Sequence, residues 1–118
     1  MNEQFIELTD GTRLAAKINF GTLYYLNRIG GDKLAKRLGM KEKKKQKITD
    51  GESIEFAAKV IYAILRSNGR EVTFDEALTL VPIDEDSIQA LIDSYSNELE
   101  RIKKKQESKA KMKNFAQK

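Results

Sequence analysis

Ser53-Ile54-Glu55-Phe56-Ala57-Ala58-Lys59-Val60-Ile61-Tyr62-Ala63-Ile64-Leu65 is the stretch on which the fold turns. Ile54, Ala57, Ala58, Ile61, Ile64 and Leu65 recur at helical spacing, and Phe56, Val60 and Ala63 widen the stripe. Only Glu52, Glu55, Lys59, Tyr62 and Arg66 look outward, so this helix has to be covered on more than one side. Ser67-Asn68-Gly69 ends it, because glycine and asparagine tolerate the left-handed conformation of a helix cap. The rest of the chain must supply the covering layers.

Upstream, Ile6 and Leu8 alternate with polar neighbours, as do Leu14, Ala16, Ile18 and Phe20, which places each set on one side of a strand. Thr9-Asp10-Gly11-Thr12 lies between them, and Asp-Gly favours the positive φ of a tight turn, so a β-hairpin is expected. After Phe20 the period becomes helical at Leu23, Leu26 and Asn27, with Gly30-Gly31 as the stop. Asp32 is positioned to cap a second helix over residues 33–38, with Leu34, Ala35 and Leu38 inward and Gly39 as its stop. The lysine cluster at 41–47 and Thr49-Asp50-Gly51 then read as a polar, mobile connection.

Downstream, Thr73-Phe74-Asp75-Glu76 matches a capping box, starting a helix with Phe74, Ala77, Leu78 and Val81 inward and Pro82 as its stop. Asp84-Glu85-Asp86 precedes the last helix, where carboxylates meet the positive end of the helix dipole. Ile88, Leu91, Ile92, Tyr95, Leu99 and Ile102 carry that stripe for about four turns. The expected architecture is α+β and predominantly α-helical: one domain over residues 1–103, with an N-terminal two-stranded hairpin packed on about five helices. Residues 104–118 form a basic, disordered tail on this reading, because Ala110, Met112, Phe115 and Ala116 are too few to dock it.

Composition narrows the chemistry. The 118 residues contain no Cys and no His, which excludes disulfides, thiolate nucleophiles, Cys/His zinc sites and imidazole proton shuttles. With 40% hydrophobic and 34% charged residues the chain is too apolar for a disordered polymer and too charged for a membrane protein. Its longest uncharged run, Ile18 to Asn27, is far short of the roughly 20 residues of a membrane span, and Met1-Asn2-Glu3 lacks a basic signal-peptide start. A soluble intracellular protein is expected. The formal net charge of +4 hides an asymmetry. Residues 101–118 carry eight Lys/Arg against one Glu, net +7, and residues 41–47 carry five Lys against one Glu, net +4, which leaves the remainder at −7.

Motifs with chemical content are few. Gly30-Gly31 lacks the spacing of a phosphate-binding loop, and Asp84-Glu85-Asp86 lacks the turn glycine and bidentate acid of a calcium loop. Glu52/Glu55 and Asp75/Glu76 fall on outer faces, where nothing raises a carboxyl pKa for acid–base work. No catalytic, cofactor-binding or metal-ligating residue is therefore assigned, and no enzymatic activity or cofactor is expected. The lysine segments would bind polyanions through counterion release, but base reading or strand stacking needs side chains that the basic tail, with Phe115 alone, does not offer. Tyr24 and Tyr25 point about 100° apart on a helix, so one of them is exposed. Tyrosine is enriched at protein interfaces.

The order of elements resembles the tail assembly chaperones of long-tailed, siphovirus-type bacteriophages, the short product of a frameshifted pair. The resemblance rests on the turn Leu8-Thr9-Asp10-Gly11-Thr12, the helix Phe20-Gly21-Thr22-Leu23-Tyr24-Tyr25-Leu26, the central segment 57–65, Val72-Thr73-Phe74-Asp75-Glu76-Ala77-Leu78, and the long amphipathic helix after it. It spans residues 3 to about 103 as a pattern of elements and apolar positions. It implies a non-enzymatic helper of viral tail morphogenesis that acts in the cytoplasm of the bacterial host and is absent from the mature virion. Its partner would be the tape measure protein, kept soluble while the tail assembles. The tail tube protein would be reached through a longer frameshifted product, with self-association of the chain in addition. The candidate partner-binding residues are Tyr24, Tyr25, Tyr62, Leu99 and Ile102. Two alternatives are a nucleic-acid-binding accessory protein acting through its lysines and a structural head or tail component.

Overall fold

The computed structural model describes residues 5–15 and 18–116, and of residues 105–116 the backbone alone. Two strands, β1 (Phe5–Glu7) and β2 (Arg13–Ala15), precede five helices: α1 (Phe20–Arg28), α2 (Gly31–Lys43), α3 (Asp50–Ser67), α4 (Phe74–Leu80) and α5 (Glu85–Ala116). The fold is α+β and predominantly helical, with a two-stranded antiparallel hairpin at its start.

Helix α3 is covered as its apolar surface requires: α1, α2, α4 and α5 all pack on it. Phe56, Ala57, Ala58, Val60, Ile61, Ala63, Ile64 and Leu65 are buried, but Ile54 is 38% exposed and lies outside the stripe the sequence suggested. The helix also begins at Asp50, inside the stretch expected as a polar connection. The Thr49 hydroxyl accepts from the Glu52 amide at 3.1 Å, and the Glu52 carboxylate accepts from the Thr49 amide at 3.0 Å, a reciprocal capping box. At the other end Gly69 sits at φ 89°, with the Gly69 amide donating to the Arg66 carbonyl and the Arg70 amide to the Leu65 carbonyl, so the expected glycine cap closes it.

The hairpin pairs Phe5 with Ala15, Ile6 with Leu14 and Glu7 with Arg13, which turns Ile6, Leu14 and the neighbouring Leu8 into the core. Asp10 accepts from the Thr12 amide at 2.9 Å and Gly11 takes φ 86°, as the turn chemistry requires. The turn is tied to α4, because the Thr9 hydroxyl donates to the Thr79 carbonyl at 2.6 Å. Strand β1 meets α5. Ile18 is buried as alternation implies, whereas Phe20 is not on the strand face: it opens α1 and is 62% exposed. Ala16 lies outside the described residues.

Three further features differ from the sequence reading. Asn27, expected on the inner face of α1, is exposed, and Thr22 is buried in its place. Helix α2 starts at Gly31, with Asp32 inside its first turn, and runs through Gly39 to Lys43, so the first three residues of the lysine cluster are helical. It stops because Lys45 takes the left-handed conformation, φ 57°, where the Lys45 amide donates to the Glu42 carbonyl and the Gln46 amide to the Lys41 carbonyl. In α4, Leu78 is 41% exposed and Leu80 is buried instead, next to the buried Val81.

The basic C-terminal segment, expected as an irregular tail from residue 104, continues α5 as helix to Ala116. From 85 to 116 there is no Gly and no Pro, and Lys, Gln, Glu and Ala dominate its end, all good helix formers. Propagation from an already docked helix avoids the nucleation cost. Asp84 caps this helix by accepting from the Ser87 amide at 2.9 Å. At 32 residues α5 is about 48 Å long and accounts for the longest extent of the molecule, 53 Å against 37 and 29 Å. No helix among the described residues is long and apolar enough to cross a membrane.

Candidate partner-binding surface

Helix α1 is fixed on α3 by a small polar joint. Asn19 Oδ1 accepts from the Thr22 amide at 2.9 Å while the Thr22 hydroxyl accepts from the Asn19 amide at 3.2 Å, which starts α1 and buries Thr22. The Thr22 hydroxyl also stands 3.1 Å from the Ser67 hydroxyl, which donates to the Ile64 carbonyl at 2.9 Å. Leu26, 1% exposed, completes the inner face. The opposite face then has to look outward, and it carries Phe20, Tyr24 and Arg28 at i, i+4 and i+8.

The two adjacent tyrosines divide as helical geometry demands. Tyr24 is 58% exposed, and Tyr25 is half-buried against the core. Their rings meet edge to face, with centroids 5.3 Å apart. Each carries a guanidinium: Arg28 lies 5.7 Å from the Tyr24 centroid and Arg66 of α3 lies 5.1 Å from that of Tyr25. Arg66 Nε is buried without a hydrogen-bond partner among the described residues.

Tyr62 is half-buried on α3, and Leu99 and Ile102 are half-buried on α5, all three packed against the core. The five residues do not fall into one tight cluster along α3. Tyr25 meets that helix at Arg66, in its last turn, whereas Tyr95, one turn before Leu99, meets it at Phe56 with ring centroids 5.3 Å apart. Ten residues of α-helix separate those anchor points, about 15 Å. Phe20 and Arg28 also belong to the exposed face, although strand alternation assigns Phe20 to the hairpin and nothing in the sequence marks Arg28. The helical spacing of Phe20, Tyr24 and Arg28 is visible in the sequence once α1 is started at Phe20.

The charged groups are mostly occupied in holding the fold. Glu52 receives Lys41 Nζ at 2.7 and 2.8 Å and lies 3.7 Å from Arg37 Nε. The Lys41 hydrogen bond, followed by that of the Thr49 amide, holds the Glu52 carboxyl down to about 2. Glu55 pairs with Lys59 at 3.1 Å, and Glu76 closes the capping box of α4. Hydrogen bonds from Ser87 lower the Asp84 pKa, and burial, then Asp32, raises that of the Tyr95 phenol. Among the described residues no group of three or more carboxylates could hold a metal ion. What the α1 face offers chemically is an aromatic surface with a fixed cation, suited to contact with another polypeptide.

Comparison with known protein families, with curated protein sequences and with solved structures finds no match to this chain.

Proposed function

We propose that the chain is a tail assembly chaperone of a long-tailed bacteriophage, which binds the tape measure protein and keeps it soluble while the tail assembles. The observation that carries this reading is the outward face of α1, where Phe20 and Tyr24 stand 62% and 58% exposed on one side of a short helix whose other side is anchored in the core. Neighbouring large apolar groups held in water by a rigid scaffold support a contact surface for another chain. The order of hairpin, short helices, buried central helix and long final helix supports the same reading through the resemblance stated above. A long helical client exposes many apolar stripes, and many small copies covering them gain from repetition along the client.

The test is co-expression with the tape measure protein of the same phage. The client moves from the insoluble to the soluble fraction when this chain is present; a client equally insoluble with and without it removes the basis of the proposal. Finding the chain as a stoichiometric component of purified virions would instead favour a structural role. A nucleic-acid role draws on one observation, the helical continuation of α5 through the lysine-rich segment. It predicts DNA affinity that falls steeply with salt and is lost on removal of residues 103–118.

A further inference from the structure

The exposed apolar side chains of this molecule are not equivalent. Met40 lies beside the lysine cluster, Leu78 shares a short helix with Asp75 and Glu76, and Ile83 sits between Pro82 and three successive acids, each on a different segment. Phe5 on β1 is also exposed, with Arg13 over its ring, but among the described residues α1 is where two large exposed aromatics share one face, followed there by an arginine at the same spacing.

The charge around that face is the informative part. Helix α1 contains no acidic residue, although the chain outside its two lysine segments carries a net charge of −7. Arg37, Lys41, Lys59, Arg70 and Arg101 each have a carboxylate within ion-pair distance. Arg13, Arg28 and Arg66 have none among the described residues, and each lies over an aromatic ring instead, Arg13 over Phe5 and the other two over tyrosines. An arginine stacked on an aromatic keeps its guanidinium edge free for a carboxylate, and the ring holds it in place so that little side-chain freedom is lost on binding.

We infer that the Phe20–Tyr24–Arg28 face of α1 is the docking surface for an amphipathic helix of the client in which Asp or Glu flanks the apolar ridge. The inference rests on the chaperone reading and names the partner chemistry of its surface. The three positions span eight residues, about 12 Å along α1, which matches roughly two turns of a helix laid against it. Phe20 and Tyr24 would cover apolar side chains of that helix, and Arg28 would take a flanking carboxylate at the end of the stripe.

The experiment uses the full chain co-expressed with the tape measure protein. In one arm a photo-crosslinking phenylalanine replaces Tyr24 or, as control, Leu78; in the other, Phe20→Ser with Tyr24→Ser is compared with Arg28→Glu. Crosslinks form from position 24 and not from 78, and they map to client helices with acidic residues beside the apolar ridge. Soluble client falls about tenfold in each variant, as expected when hot-spot contacts are removed. Both variants keep the wild-type melting temperature, because the replaced side chains are exposed. Full client solubility with the double variant and no crosslink from position 24 overturns the docking surface and leaves the chaperone reading standing. Crosslinks that map to basic segments overturn the partner chemistry. A client that stays insoluble even with the wild-type chain overturns both.

Discussion

At Gly31 a single missing carbon sets the join between the first two helices. A Cβ there would fall 2.5 Å from Cγ of Leu26, whose side chain is 1% exposed and has nowhere to go. Gly31→Ala therefore overpacks the core and costs about 1–3 kcal/mol, measurable as a lower midpoint of urea unfolding with unchanged slope. Lys45 is the opposite case. It holds φ 57° at the end of α2, a conformation that charges any side chain with a Cβ a steric penalty, so Lys45→Gly raises stability by about 1 kcal/mol. Glu52 links stability to pH. Its folded-state value of about 2 lies below the ordinary 4.5, so its contribution is fully present above pH 4.5 and is lost as the pH falls toward 2. Glu52→Gln is destabilised relative to wild type at pH 6, and the difference shrinks steadily between pH 4.5 and pH 2 in the same urea titration.

Elements were legible where pattern and cap agreed. Helix α3 announced itself through its apolar stripe and Gly69, and α4 through Thr73 and Glu76, because those signals act within a few residues. Helix α2 was misjudged because its real stop is a lysine in the left-handed conformation, which carries no compositional mark, while Gly39 sits inside the helix with open space around it. The start of α1 was missed because Phe20 fits a strand alternation and a helix start equally well, and the capping box of Asn19 and Thr22 decided it. Of the candidate surface, Tyr24 was legible from helical geometry; the partly buried state of Tyr25, Tyr62, Leu99 and Ile102 depends on tertiary packing that periodicity does not encode. Among the described side chains, those packed on the core reach Ile102 along α5, and beyond it the sequence offers only Ala110, Met112, Phe115 and Ala116 as apolar residues. Ending the chain after Lys104 shifts unfolding by no more than about 0.5 kcal/mol, while the far-ultraviolet helix signal falls with the residues removed.

On the scale of the whole molecule, the radius of gyration of 15.5 Å exceeds the roughly 13.5 Å expected for a compact domain of this length, and α5 is the reason. The charge of the sequence is divided between an acidic majority and a basic end of α5, and on α1 stands a face of two exposed aromatics with an arginine lacking a carboxylate partner among the described residues. The most direct test is light scattering of denatured, purified tape measure protein diluted into buffer with increasing amounts of this chain. Suppressed aggregation at near-equimolar ratio per binding segment, abolished by the Phe20→Ser and Tyr24→Ser replacements together, is the result expected. Scattering that rises identically with and without the chain contradicts the account.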